Sequence, residues 1–227
     1  MNDRELAGIG MTSQRTRERL ISRLLEHGIK DWTVLDVMRS TPRHIFLDEA
    51  LSHRAYEDVA LPIGYGQTIS QPFIVARMTE TLLAHAPRRE GKPGRVLEIG
   101  TGCGYQSAIL SPLVGELFTV ERIRPLLEKA RRNLSRLRLR NVRFRLDDGT
   151  MGWPEEAPFD AILVAAAPAR VPEELLQQLA DGGCLIIPVG AELHQELQLI
   201  RRDGDSFHTE VLADVRFVPL QSGKVQH

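Results

Sequence analysis

The chain has 227 residues, 42% hydrophobic and 26% charged, which is enough apolar material for one domain with a substantial core. Its formal net charge of −1 lacks the basic excess of a nucleic-acid binder. No stretch reaches the ~18 consecutive apolar residues of a membrane span, the N-terminus shows no apolar signal core, and the two cysteines, Cys103 and Cys184, suit a reducing cytoplasm better than a disulfide scaffold.

Residues 12–28 predict an amphipathic helix, with Thr12 or Ser13 as its cap, Leu20, Ile21, Leu24 and Leu25 on one face, and Gly28 as its stop. Asp31 caps a second helix over residues 32–39, which Pro42 ends. Residues 53–72 read as a loop with one short apolar run at 59–63, and residues 74–86 return to helical periodicity. After the connector 87–94 the texture changes to short apolar runs alternating with helical segments. Strands are expected at 95–99, 117–121, 142–146, 159–164 and 184–189, and helices at 105–113, 125–137 and 171–179. Residues 197–201 and 210–217 read as a late antiparallel pair around the Asp-Gly-Asp turn at 203–205. The arginine runs at 15–23 and 131–145 read as solvated helix faces. The expected fold is α/β and Rossmann-like, a mostly parallel sheet flanked by helices. Residues 1–90 form an N-terminal helical and loop appendage, 91–220 the core, and 221–227 a disordered tail.

The stretch VLEIGTGCGYQSA, residues 96–108, runs from a buried-type strand through Gly100, Gly102 and Gly104 into a helix. Missing side chains let the backbone turn sharply and let a ligand lie against it. The spacing is GxGxG, tighter than the dinucleotide fingerprint, and suits a ligand without a pyrophosphate. Glu121 ends the next strand, where a carboxylate can accept both ribose hydroxyls of a nucleoside. Asp147, Asp148 and Gly149 follow the third strand, where an Asp can accept from an adenine amine. Each feature has a plainer explanation as a turn or a helix entry, but jointly they point to S-adenosylmethionine. Glu98 is a candidate to hold its positive groups by charge, or equally a structural residue. The fourth strand ends in Ala165, Ala166, Ala167 and Pro168, an apolar wall with no acceptor side chain for an amine or nucleobase. No HExxH or Cys/His cluster appears, so no metal is expected. Cys103 reads as a space-filler and His53 as loop surface.

The blocks RAYEDVALPIGYGQTISQP (54–72), VLEIGTGCGYQSAIL (96–110), FTVERI (118–123), FDAILVAAAP (159–168), GGCLIIPVG (182–190) and VRFVPL (215–220) together resemble the protein-L-isoaspartate (D-aspartate) O-methyltransferases. The resemblance covers about residues 15–220. It implies methyl transfer from S-adenosylmethionine to the free carboxylate of L-isoaspartyl residues, and less well D-aspartyl residues, starting their repair through a methyl ester and a succinimide. It implies Ser70 and Thr68 as catalytic residues. It puts Gln71, Glu98, Gly100, Thr101, Gly102, Gly104, Gln106, Glu121, Arg122, Asp148 and Gly149 around the cofactor. Ile63, Tyr65, Gly66, Gln67, Ala166, Ala167, Arg216, Phe217 and Val218 fall to the peptide. It also implies a monomer that binds damaged proteins transiently, and neither nucleic acid nor membrane. Departures from the family pattern are Asp147 for a usual glycine, Cys103 for serine or threonine, and Ala165 for threonine. A carboxylate with a pKa near 4 is already ionised at pH 7 and needs no general base, so the work left is alignment. Ser70 also suits a helix N-cap, because Gln71-Pro72 follows it. A methyltransferase for another carboxylate or small molecule, and a non-catalytic cofactor-binding protein, are the competing readings.

Overall fold

The computed structural model describes residues 10–88, 90–191 and 194–226. Helix α1 (Gln14–Glu26) follows a single 3-10 turn and buries Leu20, Ile21 and Leu24. Gly28, at φ 94°, turns the chain out of it in the left-handed region that favours glycine. Helix α2 (Trp32–Ser40) starts where the Asp31 carboxylate accepts the N–H groups of Thr33 and Val34 at 2.8 and 3.2 Å. A 3-10 turn over Arg43–Phe46 and the one-turn helix α3 (Glu49–Ser52) lead toward the sheet.

Here the sequence expectation of a loop is corrected. Strands β1 (Leu61–Gly64) and β2 (Gln67–Ile69) pair as an antiparallel hairpin. Gly64, Tyr65 and Gly66 all take positive φ at its tip, and Leu61, Ile63 and Ile69 are buried. Strands of three and four residues are too short for alternation to stand out in sequence. Helix α4 (Pro72–His85) follows, with proline in its first turn.

The core is one seven-stranded sheet ordered β5-β4-β3-β6-β7-β8-β9. Its strands are β3 (Arg95–Ile99), β4 (Glu116–Glu121), β5 (Val142–Leu146), β6 (Phe159–Val164), β7 (Leu179–Ala191), β8 (His194–Asp203) and β9 (Ser206–Val215). The first five are parallel, and β8 and β9 are antiparallel additions. Helices α5 (Tyr105–Leu110), α6 (Arg124–Arg136) and α7 (Glu173–Gln177) connect them. Alternate residues face opposite sides. Val96, Leu117, Ala161 and Leu163 pack with the N-terminal helices, whereas Leu97, Phe118, Ile162 and Val164 pack with Phe159 and Leu175. The N-terminal appendage therefore shares a continuous core with the sheet; its residues 1–9 lie outside the described residues.

Three expectations shift. The helix read over 171–179 is only Glu173–Gln177, because Leu179 already pairs with Phe159 and opens β7. Strand β9 ends at Val215, so Arg216 and Phe217 lie beyond it. The tail expected to be disordered is instead laid along the sheet's end over residues 221–226. Val225 N–H donates to the Arg122 carbonyl at 2.7 Å, and Arg124 N–H to the Val225 carbonyl at 3.0 Å. Backbone bonding of this kind leaves no compositional trace.

Candidate active site

Strand order reverses on either side of β3, and open α/β sheets bind ligands at such a point. The carboxyl ends of β3, β4 and β6 converge there. Gly100 N–H donates to the Val120 carbonyl at 2.9 Å, Ala165 N–H to the Ile99 carbonyl at 2.8 Å, and Asp147 N–H to the Glu121 carbonyl at 3.1 Å. Gly100, Gly102 and Gly104 have φ of 92°, 55° and 90°. A Cβ on Gly104 would stand 3.1 Å from the Ala130 Cβ, so this glycine also lets α5 sit against α6.

Above this loop lies a cavity that opens to solvent. Of the expected cofactor residues, its walls hold Gly100, Thr101, Gly102, Gln106, Glu121, Arg122 and Gly149. Glu121 is buried; its Oε2 accepts the Gly102 N–H at 2.8 Å and its Oε1 the Ile123 N–H at 2.9 Å. A carboxylate has roughly four acceptor sites, so acceptor capacity remains for a ligand. Burial raises its pKa, opposed by those backbone bonds. Gln106 Nε2 donates to Thr79 at 2.9 Å. Cys103 also lines the cavity, with burial pushing its thiol up to about 11, so it is an inert filler.

Four expected cofactor residues stand elsewhere. Gly104 lies behind the wall as the N-cap residue before α5. Glu98 is fully buried beneath the loop and faces Ser107 and Thr119. The Thr101 hydroxyl bonds Thr119 at 2.6 Å, and Thr119 donates to Glu98 at 2.7 Å, so Glu98 reaches the cavity wall only through this hydroxyl chain. Gln71 turns away and donates to Asp58 at 3.1 Å. Asp148 accepts from Thr150 at 2.9 Å and, on its other oxygen, from the Gly223 N–H at 2.6 Å. Arg122, although on the wall, gives its guanidinium to the Gly223 carbonyl and the Gln221 side chain at 3.0 and 3.1 Å. Asp147 points outward to Arg145 and Lys224 at 2.9 and 3.1 Å, which is how the turn accommodates the extra acid.

A second, more open groove adjoins the first, lined by Thr68, Ser70, Gln71, Ile74, Ala165, His194, Asp214, Arg216, Phe217 and Val218 among others. Thr68, Ser70, Ala165 and Val218 line both spaces, so the two meet there. Gln67 and Ala166 line the first cavity only. Ala167 holds the closing segment by backbone, its N–H donating to the Val218 carbonyl and its carbonyl accepting from Leu220 N–H, both at 2.8 Å. Ile63 is buried, its Cδ1 3.4 Å from where a Gly102 Cβ would be. Tyr65 is 55% exposed at the hairpin tip beside Gly66, and neither lines a cavity.

The capping explanation of Ser70 meets a competing residue. Asp58 accepts the Phe73 N–H of the first turn of α4 at 2.8 Å, and Gln71, the residue at the cap position, makes no side-chain cap bond. Asp58 was missed in the sequence because it acts from 15 residues upstream, beyond any local capping pattern.

The protein-L-isoaspartate(D-aspartate) O-methyltransferase family model matches residues 14–225. The chain belongs to this family. A protein-L-isoaspartate O-methyltransferase of Alcanivorax borkumensis is 58% identical, with 97% of this chain and 98% of that protein covered. Protein-L-isoaspartate O-methyltransferase 1 of Marinobacter nauticus is 60% identical over 98% of this chain and 99% of its own length. A solved protein-L-isoaspartate O-methyltransferase superposes with a TM-score of 0.78 at 34% identity, covering 89% of this chain and 65% of that one. A Plasmodium falciparum chain described as a beta-aspartate methyltransferase, in complex with S-adenosyl-L-homocysteine, gives a TM-score of 0.77 at 27% identity, covering 90% of this chain and 98% of that one. The isoaspartyl methyltransferase family match thus spans the hairpin, the glycine loop and the closing segment together.

Proposed function

We propose that this chain transfers a methyl group from S-adenosylmethionine to the free carboxylate of L-isoaspartyl residues, and less well D-aspartyl residues, in damaged proteins. The observation that carries the reading is the junction at Thr68, Ser70, Ala165 and Val218, where the cavity over the glycine loop opens into the groove beside the closing segment. The residues fit the methyl donor. The cavity offers one buried carboxylate, Glu121, and a glycine cradle. Among the described residues, the one guanidinium on its wall, Arg122, is engaged by the tail rather than offered to a pyrophosphate. When bound, the cofactor supplies an electrophilic methyl on a positive sulfur.

The chain's own residues then have an alignment task. Glu121 and the backbone of Gly100–Gly102 hold the donor. Ser70, half-buried at the junction, offers a hydroxyl to orient the acceptor carboxylate. Ala165 and Ala166 keep the passage narrow and apolar, which excludes water from two charges that cancel as they meet. Phe217 and Val218 line the groove for peptide backbone, so flanking sequence matters little. Selection of isoaspartate over aspartate is then geometric: the extra backbone methylene moves the carboxylate relative to the main chain. We extend the reading to a monomer in a reducing cytoplasm, which the two buried free thiols suit.

Labelled S-adenosylmethionine offered to one peptide made with isoaspartate or with aspartate should leave base-labile label on the isoaspartyl form alone. Label on neither, with cofactor bound, overturns the reading. Ser70→Ala should lower kcat roughly tenfold, the weight of one hydrogen bond to a charged group, with cofactor Kd unchanged. The ordered tail gives a further expectation. Truncation after Leu220 removes the partners of Arg122 and Asp148, and should raise the cofactor Kd about fivefold by equilibrium dialysis; an unchanged Kd makes the tail an ornament of the surface.

A further inference from the structure

Arg43 is a large, fully buried side chain outside both cavities. Its Nε donates to the Ala55 carbonyl at 2.9 Å and its Nη2 to the Ser70 carbonyl at 2.8 Å. Its guanidinium lies over the Tyr105 ring, 4.6 Å from the centroid, and Tyr105 lines the cofactor cavity. No carboxylate pairs with it among the described residues. Burial lowers its pKa, with the neighbouring Tyr105 and Cys103 opposing. Burying a cation without a counter-ion is unfavourable unless its donors are well placed, and an apolar side chain would fill this volume without that penalty. What an apolar residue could not do is grip two carbonyls and an aromatic face at once, in the fixed planar geometry of a guanidinium.

The three things gripped are informative. Ser70 belongs to the junction and Tyr105 to the first turn of the helix after the glycine loop, while Ala55 belongs to the segment leading into the hairpin. The acceptor side and the donor side of the proposed reaction are separate stretches of chain, and this one side chain bonds to the first and stacks on the second. In-line transfer is sensitive to misplacement of about 1 Å. We infer that Arg43 is a positioning residue for methyl transfer, setting where the Ser70 hydroxyl stands relative to the cofactor cavity through the Ser70 carbonyl. The inference rests on the role of Ser70 proposed above and adds a residue that touches neither substrate nor cofactor.

The test separates the two. Isoaspartyl methylation by the unaltered enzyme and by Ser70→Ala decides the role of Ser70. Arg43→Met is then made in both backgrounds. With Ser70 present it should lower kcat about tenfold while peptide KM and cofactor Kd stay within about twofold. In Ser70→Ala the further drop should shrink to less than about threefold, because residues that act through one another are not additive. Arg43→Lys keeps a charge and one carbonyl bond and should restore part of kcat; it also serves if the Met variant does not fold. Amide hydrogen exchange gives a readout independent of substrate, rising about tenfold over residues 67–71 in the variant and staying near the unaltered rate in β5. A full tenfold kcat loss in the Ser70→Ala background, a change confined to cofactor Kd, or unchanged exchange over 67–71 overturns the positioning role.

Discussion

Glu121→Ala is expected to raise the Kd for S-adenosylmethionine roughly 100-fold, the loss of the two charge-assisted hydrogen bonds proposed between this carboxylate and the ribose hydroxyls, each contributing about 1.5 kcal/mol or more. The carboxylate serves the protein before it serves the ligand. It accepts the Gly102 N–H and the Ile123 N–H, so it already fixes the glycine loop relative to the end of β4. Its remaining acceptor sites face a cavity whose other walls are mostly backbone and apolar side chains. Removal leaves the Gly102 donor without its partner and takes away the one acid on the wall among the described residues. Glu121→Gln is no gentle replacement, since the amide nitrogen would confront one of two backbone donors, and its Kd should also rise, by about tenfold or more. Isothermal titration of each variant measures this, with a thermal melt to check that the loop still folds. A Kd within about threefold of the unaltered protein, at an unchanged Tm, would move the ribose away from Glu121.

Much of this architecture was legible in the sequence, for identifiable reasons. Strands β3, β4 and β6 announce themselves because both their faces are buried, which leaves short apolar runs such as residues 161–164. The glycine loop is legible because three left-handed positions leave no other residue comfortable. The hairpin at 61–69 was not legible as strands. Its inward residues are only Leu61, Ile63 and Ile69, and its turn glycines look like loop. Side-chain destinations were harder still. Asp148, Gln71 and Arg122 all have chemistry suited to a cofactor, yet each is engaged by a partner distant in sequence: Gly223, Asp58 and Gly223 again. Nothing in a local pattern reports such a partner. The resemblance supplied the peptide residues as a group. The structure divides them into those lining the spaces, such as Phe217 and Val218, and those beside them, such as Tyr65 and Ala167.

Glu98 leads to the second large effect, one of stability against pH. The carboxyl is fully buried, and burial pushes its pKa up to about 7 from 4.5, although the Ser107 and Thr119 hydroxyls both donate to it and oppose the rise. Between pH 4.5 and 7 the folded chain therefore holds a proton on Glu98 that the unfolded chain has released. Folding stability from this group is fully present below about pH 4.5 and is lost as pH rises through about 7. The loss amounts to about 3 kcal/mol at the conversion of 1.36 kcal/mol per pH unit. Glu121, also raised by burial, tilts stability the same way, so the unaltered protein alone cannot isolate Glu98. Glu98→Gln can. The amide oxygen still accepts from both hydroxyls, and nothing at position 98 titrates. The stability advantage of Glu98→Gln over the unaltered protein, from urea melts, should grow by about 3 kcal/mol from pH 4.5 to pH 8. A difference that stays constant with pH would mean that Glu98 keeps an ordinary carboxylate pKa. Retaining an acid here then has a physical reading. The Glu98 carboxyl accepts the Thr119 hydroxyl, which bonds the Thr101 hydroxyl on the cavity wall, so the acid ties that wall to β4 by a hydroxyl chain whether or not it is charged.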